Sequence, residues 1–108
     1  MEVQLYWRTE SPLERRYKIF VQLLDGVNSV VAQSDSFPAA GQRPTTGWLP
    51  GEIIADAHTL ALPANLSAGS YRLIAGLYDP LTGERLPILG NDIAGFNDAI
   101  LVSEIVLP

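Results

Sequence analysis

Ser70-Tyr71-Arg72-Leu73-Ile74-Ala75-Gly76-Leu77-Tyr78 places Tyr71, Leu73, Ala75 and Leu77 on one side of an extended chain, because successive side chains of a strand point to opposite faces. This is the cleanest core strand of the chain, its one face continuously apolar and suited to a pleated, buried surface. Asp79-Pro80-Leu81-Thr82-Gly83-Glu84 follows at once and reads as a tight turn, with Gly83 suited to the left-handed position. A strand of this kind needs apolar partners on the same face, and the rest of the chain supplies them.

Working outward, the same alternation recurs between turn signals. Val3-Gln4-Leu5-Tyr6-Trp7-Arg8 carries Val3, Leu5 and Trp7 on one face and ends at Glu10-Ser11-Pro12. Residues 17–24 are apolar on both faces, with Tyr17, Ile19, Val21 and Leu23 on one and Phe20 and Leu24 on the other. Asp25-Gly26-Val27-Asn28 then predicts a hairpin into residues 29–34. Residues 52–62 read as a long strand in which Ile54, Leu60 and Leu62 share parity with Asp56 and His58. Arg85-Leu86 reads as a short return strand, residues 87–98 as a loop and residues 100–107 as the closing strand. Leu66-x-x-Gly69-x-Tyr71 has the form of the corner ahead of a core strand in Ig-like sandwiches, where a Tyr hydroxyl bonds back to upstream backbone. The expectation is an all-β, two-sheet antiparallel sandwich, Ig-like, with about seven strands and no helix.

Residues 1–108 form one domain of ordinary size. Hydrophobic residues make up 47% and charged residues 18%, the reverse of a disordered composition. Twelve acidic against seven basic side chains give net −5, which excludes nucleic acid as a partner, since phosphate contacts need clustered Lys and Arg. The lone basic cluster, Arg15-Arg16-Lys18, lies beside Glu10 and Glu14 and reads as a solvated face. With no Cys, disulfide scaffolds, thiolate zinc sites and Cys nucleophiles are excluded. Met1-Glu2-Val3 lacks the basic and apolar regions of a signal peptide, and the longest uncharged stretch is too short and too interrupted to span a bilayer. A start directly on a strand predicts a domain excised from a longer chain.

Chemistry concentrates in two places. Residues 35–51 hold three Pro and three Gly, so they read as a long irregular loop, and loops of that length are often functional. The loop carries Trp48, an indole costly to leave in water. Asp56 and His58 lie two residues apart on one strand face, able to share a metal with Asp35 or Asp79, or a proton. The competing expectation is a half-buried polar pair that bonds loop backbone, and no metal and no cofactor are expected. A hydrolytic site would need His58 with one of the Ser residues, but no Gly-x-Ser-x-Gly elbow is present; no enzyme activity is expected. As a recognition surface, Tyr6, Trp7, Trp48 and Tyr78 offer ring platforms, and Gln33, Asp35, Asp56 and His58 a polar fringe. The ligand-binding candidates are thus Trp48, Asp56, His58, Gln33 and Asp35, with a glycan or a protein as partner. Against this stands Trp48 as an anchor plugging the end of the sandwich, which is the preferred expectation. An apolar patch around Trp7 and the last strand would serve an oligomer contact.

The order of motifs from Phe20 onward is itself distinctive: Phe20-Val21-Gln22-Leu23-Leu24-Asp25, Val31-Ala32-Gln33-Ser34-Asp35, Pro44-Thr45, Trp48-x-Pro50-Gly51-Glu52, Asp56-x-His58, Leu62-Pro63, Gly69-x-Tyr71-x-Leu73 and Gly76-Leu77-Tyr78-Asp79-Pro80-x-Thr82-Gly83-x-Arg85. Together these resemble a C-terminal extracytoplasmic β-sandwich domain of uncharacterised membrane proteins, which themselves resemble dolichyl-phosphate-mannose-type glycosyltransferases of Chloroflexi and related bacteria. The family more often has His-Leu where this chain has Gln22-Leu23. The resemblance implies a location outside the cytoplasmic membrane, a tether through flanking membrane helices, and an accessory rather than catalytic role beside a glycosyltransferase. It carries over no catalytic residue.

Overall fold

The computed structural model describes residues 1–89 and 98–108. Among them are six strands: β1 (Glu2–Trp7), β2 (Lys18–Leu24), β3 (Val30–Ser36), β4 (Ile54–Thr59), β5 (Gly69–Tyr78) and β6 (Ile100–Leu107). Two short 3₁₀ turns, Pro38–Gly41 and Thr45–Gly47, punctuate the long loop. No helix among the described residues is long and apolar enough to cross a membrane.

The strands form two antiparallel sheets, one of four strands in the order β3-β2-β5-β6 and one of two, β1-β4. The alternation seen in the sequence sets which faces meet. Val3, Leu5 and Trp7 of β1 and Ile54 of β4 pack against Ile19, Val21 and Leu23 of β2 and Tyr71, Leu73, Ala75 and Leu77 of β5. Burying side chains of this size contributes about 1.5–3 kcal/mol each. The Tyr71 hydroxyl donates to the Ser67 carbonyl oxygen at 2.6 Å, fixing the loop that enters β5.

The second apolar face of β2 also has a use. Phe20, Leu24, Ile74 and Ala99, with Tyr78 beside them, make a small cluster on the outer side of the larger sheet. Phe20 lies directly across from Gly76, and a Cβ at Gly76 would stand 2.5 Å from the Phe20 ring and 2.7 Å from the Asp98 carbonyl oxygen. Only a residue without a side chain fits under that ring. The Arg85 guanidinium covers the ring, 4.1 Å from its centre.

Three expectations need correction. The described strands number six rather than seven, because the segment at Arg85-Leu86 makes a single bridge, Tyr78 to Arg85; Pro87 has no N–H with which to continue a ladder. Residues 52–62 supply only β4, and Leu62 turns outward, 40% exposed, because pairing with β1 runs out at the chain start, where Leu60 N–H meets the Met1 carbonyl at 2.8 Å. Thirdly, β3 extends to Ser36 and the loop after it contains 3₁₀ turns. Of the loop expected over residues 87–98, residues 90–97 lie outside the described residues.

The unequal sheets leave one strand without a counterpart. Ser36 of β3 touches His58 of β4, so the small sheet sits toward the β3 side of the large one. On the far side, Ile100, Val102, Ile105 and Leu107 of β6 point toward the core yet are only half-buried.

Candidate functional site

The polar residues on the buried face of β4 form one connected cluster. Asp56 and His58 are 1% and 4% exposed, since the parity that buries Ile54 and Leu60 buries them too. Asp56 Oδ2 accepts from the Trp7 indole N–H at 3.0 Å and lies 2.6 Å from His58 Nε2. Its Oδ1 accepts from the Ala39 N–H at 2.9 Å. His58 Nδ1 in turn lies 3.2 Å from Ser36 Oγ. With Asp56 ionised, Nε2–H donates to the carboxylate and Nδ1 accepts from the Ser36 hydroxyl. One carboxylate thereby joins β1, β4 and the first 3₁₀ turn, and the imidazole adds β3.

This chain of Ser36, His58 and Asp56 has the connectivity of a hydrolytic triad. Nucleophilic catalysis also needs an approachable hydroxyl, a cleft beside it and donors for the oxyanion. Ser36 is half-buried, and the two main concavities of the described surface are lined by none of the three residues. The buried donors and acceptors are all satisfied within the cluster, as a structural network requires.

The long loop is pinned by the same means. Trp48 is 4% exposed and its indole N–H donates to the Arg43 carbonyl at 2.8 Å. The Thr45 hydroxyl, fully buried, accepts from Tyr17 N–H at 3.0 Å and donates to the Arg15 carbonyl at 2.6 Å. Arg43 pairs with Glu52 at 2.7 Å. That bond first, and the Leu49 N–H second, hold the Glu52 carboxyl below its usual range. Ala39 and Ala40 adopt left-handed backbone at φ 51° and 56°, a conformation disfavoured for L-residues by about 1–2 kcal/mol each; the bond from Ala39 N–H to Asp56 holds the first of them in place.

The sequence candidates therefore separate. Asp56 and His58 come together, and Trp48 packs into the apolar core apart from them, its indole 4% exposed and reaching the surface in the wall of the groove beside Tyr6. Gln33 and Asp35 are exposed on β3; Asp35 accepts from the Tyr78 hydroxyl at 2.9 Å. Burial first, and the bond to Asp35 second, raise the Tyr78 phenol above its ordinary value. Asp79 is bound to Arg15 at 2.8 Å and stands apart from Asp56. The Leu81 N–H, followed by Arg15, keeps its carboxyl below the usual carboxylate range. Among the described residues no three His, Asp or Glu side chains converge to hold a metal ion. Trp7, taken as a platform or patch residue, is instead buried at 7%; its parity with Val3 and Leu5 signalled this. Sequence reading did not select Ser36, which no local pattern marks.

Exposed aromatic surface is left at Tyr6, 68% exposed on the outer face of β1. Beside it a groove of about 460 Å³ opens between the sheets, walled by Trp7, Leu13, Leu77, Leu86, Ile88 and Ile100, with Arg8 and Glu10 at its lip. A second concavity, about 590 Å³, lies between the 25–27 turn and the loop before β5. Comparison with family models, with characterised proteins and with solved structures returned no match for this chain.

Proposed function

We propose that this is a non-catalytic accessory domain that docks a protein partner outside the cytoplasmic membrane, beside a membrane glycosyltransferase. The single observation that carries the docking role is the contrast between the two polar and aromatic regions. The Asp56–His58 pair is buried and, with half-buried Ser36, fully hydrogen-bonded, whereas the groove beside Tyr6 is open and mostly apolar in its walls. The placement beside a glycosyltransferase rests on the resemblance of the motif order. An Ig-like relationship is supported by the Tyr71 bond to Ser67.

A polypeptide suits the groove better than a glycan. Sugar platforms need exposed ring faces with amide and carboxylate neighbours, and of the four candidate rings Trp7 and Trp48 are buried and Tyr78 is tied to Asp35. The test is a titration of the isotopically labelled domain, first with a library of extended apolar peptides and then with mixed oligosaccharides. Peptide-induced shifts at Tyr6, Arg8, Leu86 and Ile100 are expected. Shifts with oligosaccharides alone transfer the site to glycans, and no shift with either leaves a spacer domain.

A further inference from the structure

We infer that the small sheet has one vacant strand position beside β1, and that its occupant is an extended segment of polypeptide added edge-on. This deepens the docking role proposed above and rests on it. The register carries the argument. Met1 and Leu60 exchange both backbone bonds, Met1 N to Leu60 O at 2.8 Å and Leu60 N to Met1 O at 2.8 Å. In an antiparallel pair such bonded residues recur at every second position, so Val3, Leu5 and Trp7 point their backbone groups at β4. The N–H and C=O groups of Glu2, Gln4 and Tyr6 then point away from it, along an edge with no neighbouring strand among the described residues.

The small sheet is offset toward β3 by the Ser36–His58 contact, which leaves β6 as the large-sheet strand on the side of that edge, and its inward residues Ile100, Val102, Ile105 and Leu107 are only half-buried. A row of alternating backbone donors and acceptors above a row of apolar side chains is complementary to a β-strand and to nothing else of comparable simplicity. A glycan or lipid would cover the side chains and leave the backbone row unmatched. A second copy fits less well. Two-fold pairing of β1 with its equivalent brings both overhanging β6 strands into the same space. The added strand would place apolar residues opposite Val3, Leu5 and Trp7, above β6, and polar residues opposite Glu2, Gln4 and Tyr6, facing water.

The experiment attaches a strand of alternating Val and Thr, about 7 residues long, ahead of Met1 through a Gly/Ser linker of about 5 residues. Tethering supplies the high local concentration that a weak free peptide lacks. Val occupies the inward positions and Thr the outward ones, where the Thr N–H groups face β1. The control fusion replaces each Thr by Pro, which cannot donate. Amide hydrogen exchange is then read residue by residue. The expected result is slowing by more than about tenfold at Glu2, Gln4 and Tyr6 in the Val/Thr fusion, with none in the Pro fusion, both monomeric by light scattering. Equal exchange in the two fusions overturns the vacant-strand inference, as does an unfused domain already dimeric with those amides protected. If the fusion fails while library peptides still shift groove residues, strand addition is wrong and docking survives. If both fail, both readings fall.

Discussion

Replacing Asp56 by Ala removes the common acceptor of three donors, two buried and one partly buried: the Trp7 indole N–H at 3.0 Å, His58 Nε2 at 2.6 Å and the Ala39 N–H at 2.9 Å. A buried donor left without a partner costs about 1–3 kcal/mol, so the three together are worth about 4–6 kcal/mol before the site relaxes. His58 recovers part of this by shifting its proton to Nδ1 and bonding Ser36, and the small void admits water to Trp7. The expected net loss is about 4 kcal/mol, a large share of the roughly 5–15 kcal/mol that domains possess. Urea unfolding followed by the fluorescence of Trp7 and Trp48 measures it, with an unchanged slope showing that the same surface is exposed on unfolding. Ser36→Ala, which removes one bond at the end of the chain, should lose only about 1 kcal/mol. A loss below about 1 kcal/mol for Asp56→Ala would refute the architectural role of the cluster and reopen a chemical one.

Trp48→Ala should destabilise the domain by about 3–5 kcal/mol in the same assay, as large aromatic truncations in cores do; an unchanged midpoint with loss of ligand-induced shifts would restore the stacking platform. Gly76→Ala should lower the midpoint by an amount equivalent to about 1–3 kcal/mol through overpacking against Phe20, and Phe20→Ala in the same chain should relieve part of it, a coupling read from the double-mutant cycle. Asp79 governs part of the acid limb. Its folded pKa is lowered by the Leu81 N–H and Arg15, so its stabilisation is present above the unfolded carboxylate value of about 3.9 and is lost as pH falls through the folded value. Asp79→Asn should flatten the pH dependence of stability below about pH 4, measured by urea midpoints across an acid series.

Legibility followed the range of the interactions. Period-two alternation disclosed the buried faces of β1, β4 and β5, because each residue's burial depends on its own strand. The inward placement of Trp48 was legible from the mismatch between a Pro- and Gly-rich loop and an indole within it. The Trp7–Asp56 bond joins residues far apart in the chain, and the Ser36–His58 contact depends on where two sheets cross, so neither had a local signal. The paired alanines at positive φ were equally silent, since Ala carries no preference for that region and tertiary bonds hold it there. The strand count went astray at Arg85-Leu86, where alternation over two residues cannot distinguish a bridge from a ladder.

Amide hydrogen exchange across β1 in the unmodified domain tests the incomplete sandwich most directly. An open edge predicts alternation: slow exchange at Val3, Leu5 and Trp7, whose N–H groups bond β4, and fast exchange at Glu2, Gln4 and Tyr6, whose N–H groups face that edge. Uniform protection along all six residues in a monomer would mean that the edge is already covered, and the vacancy would not exist.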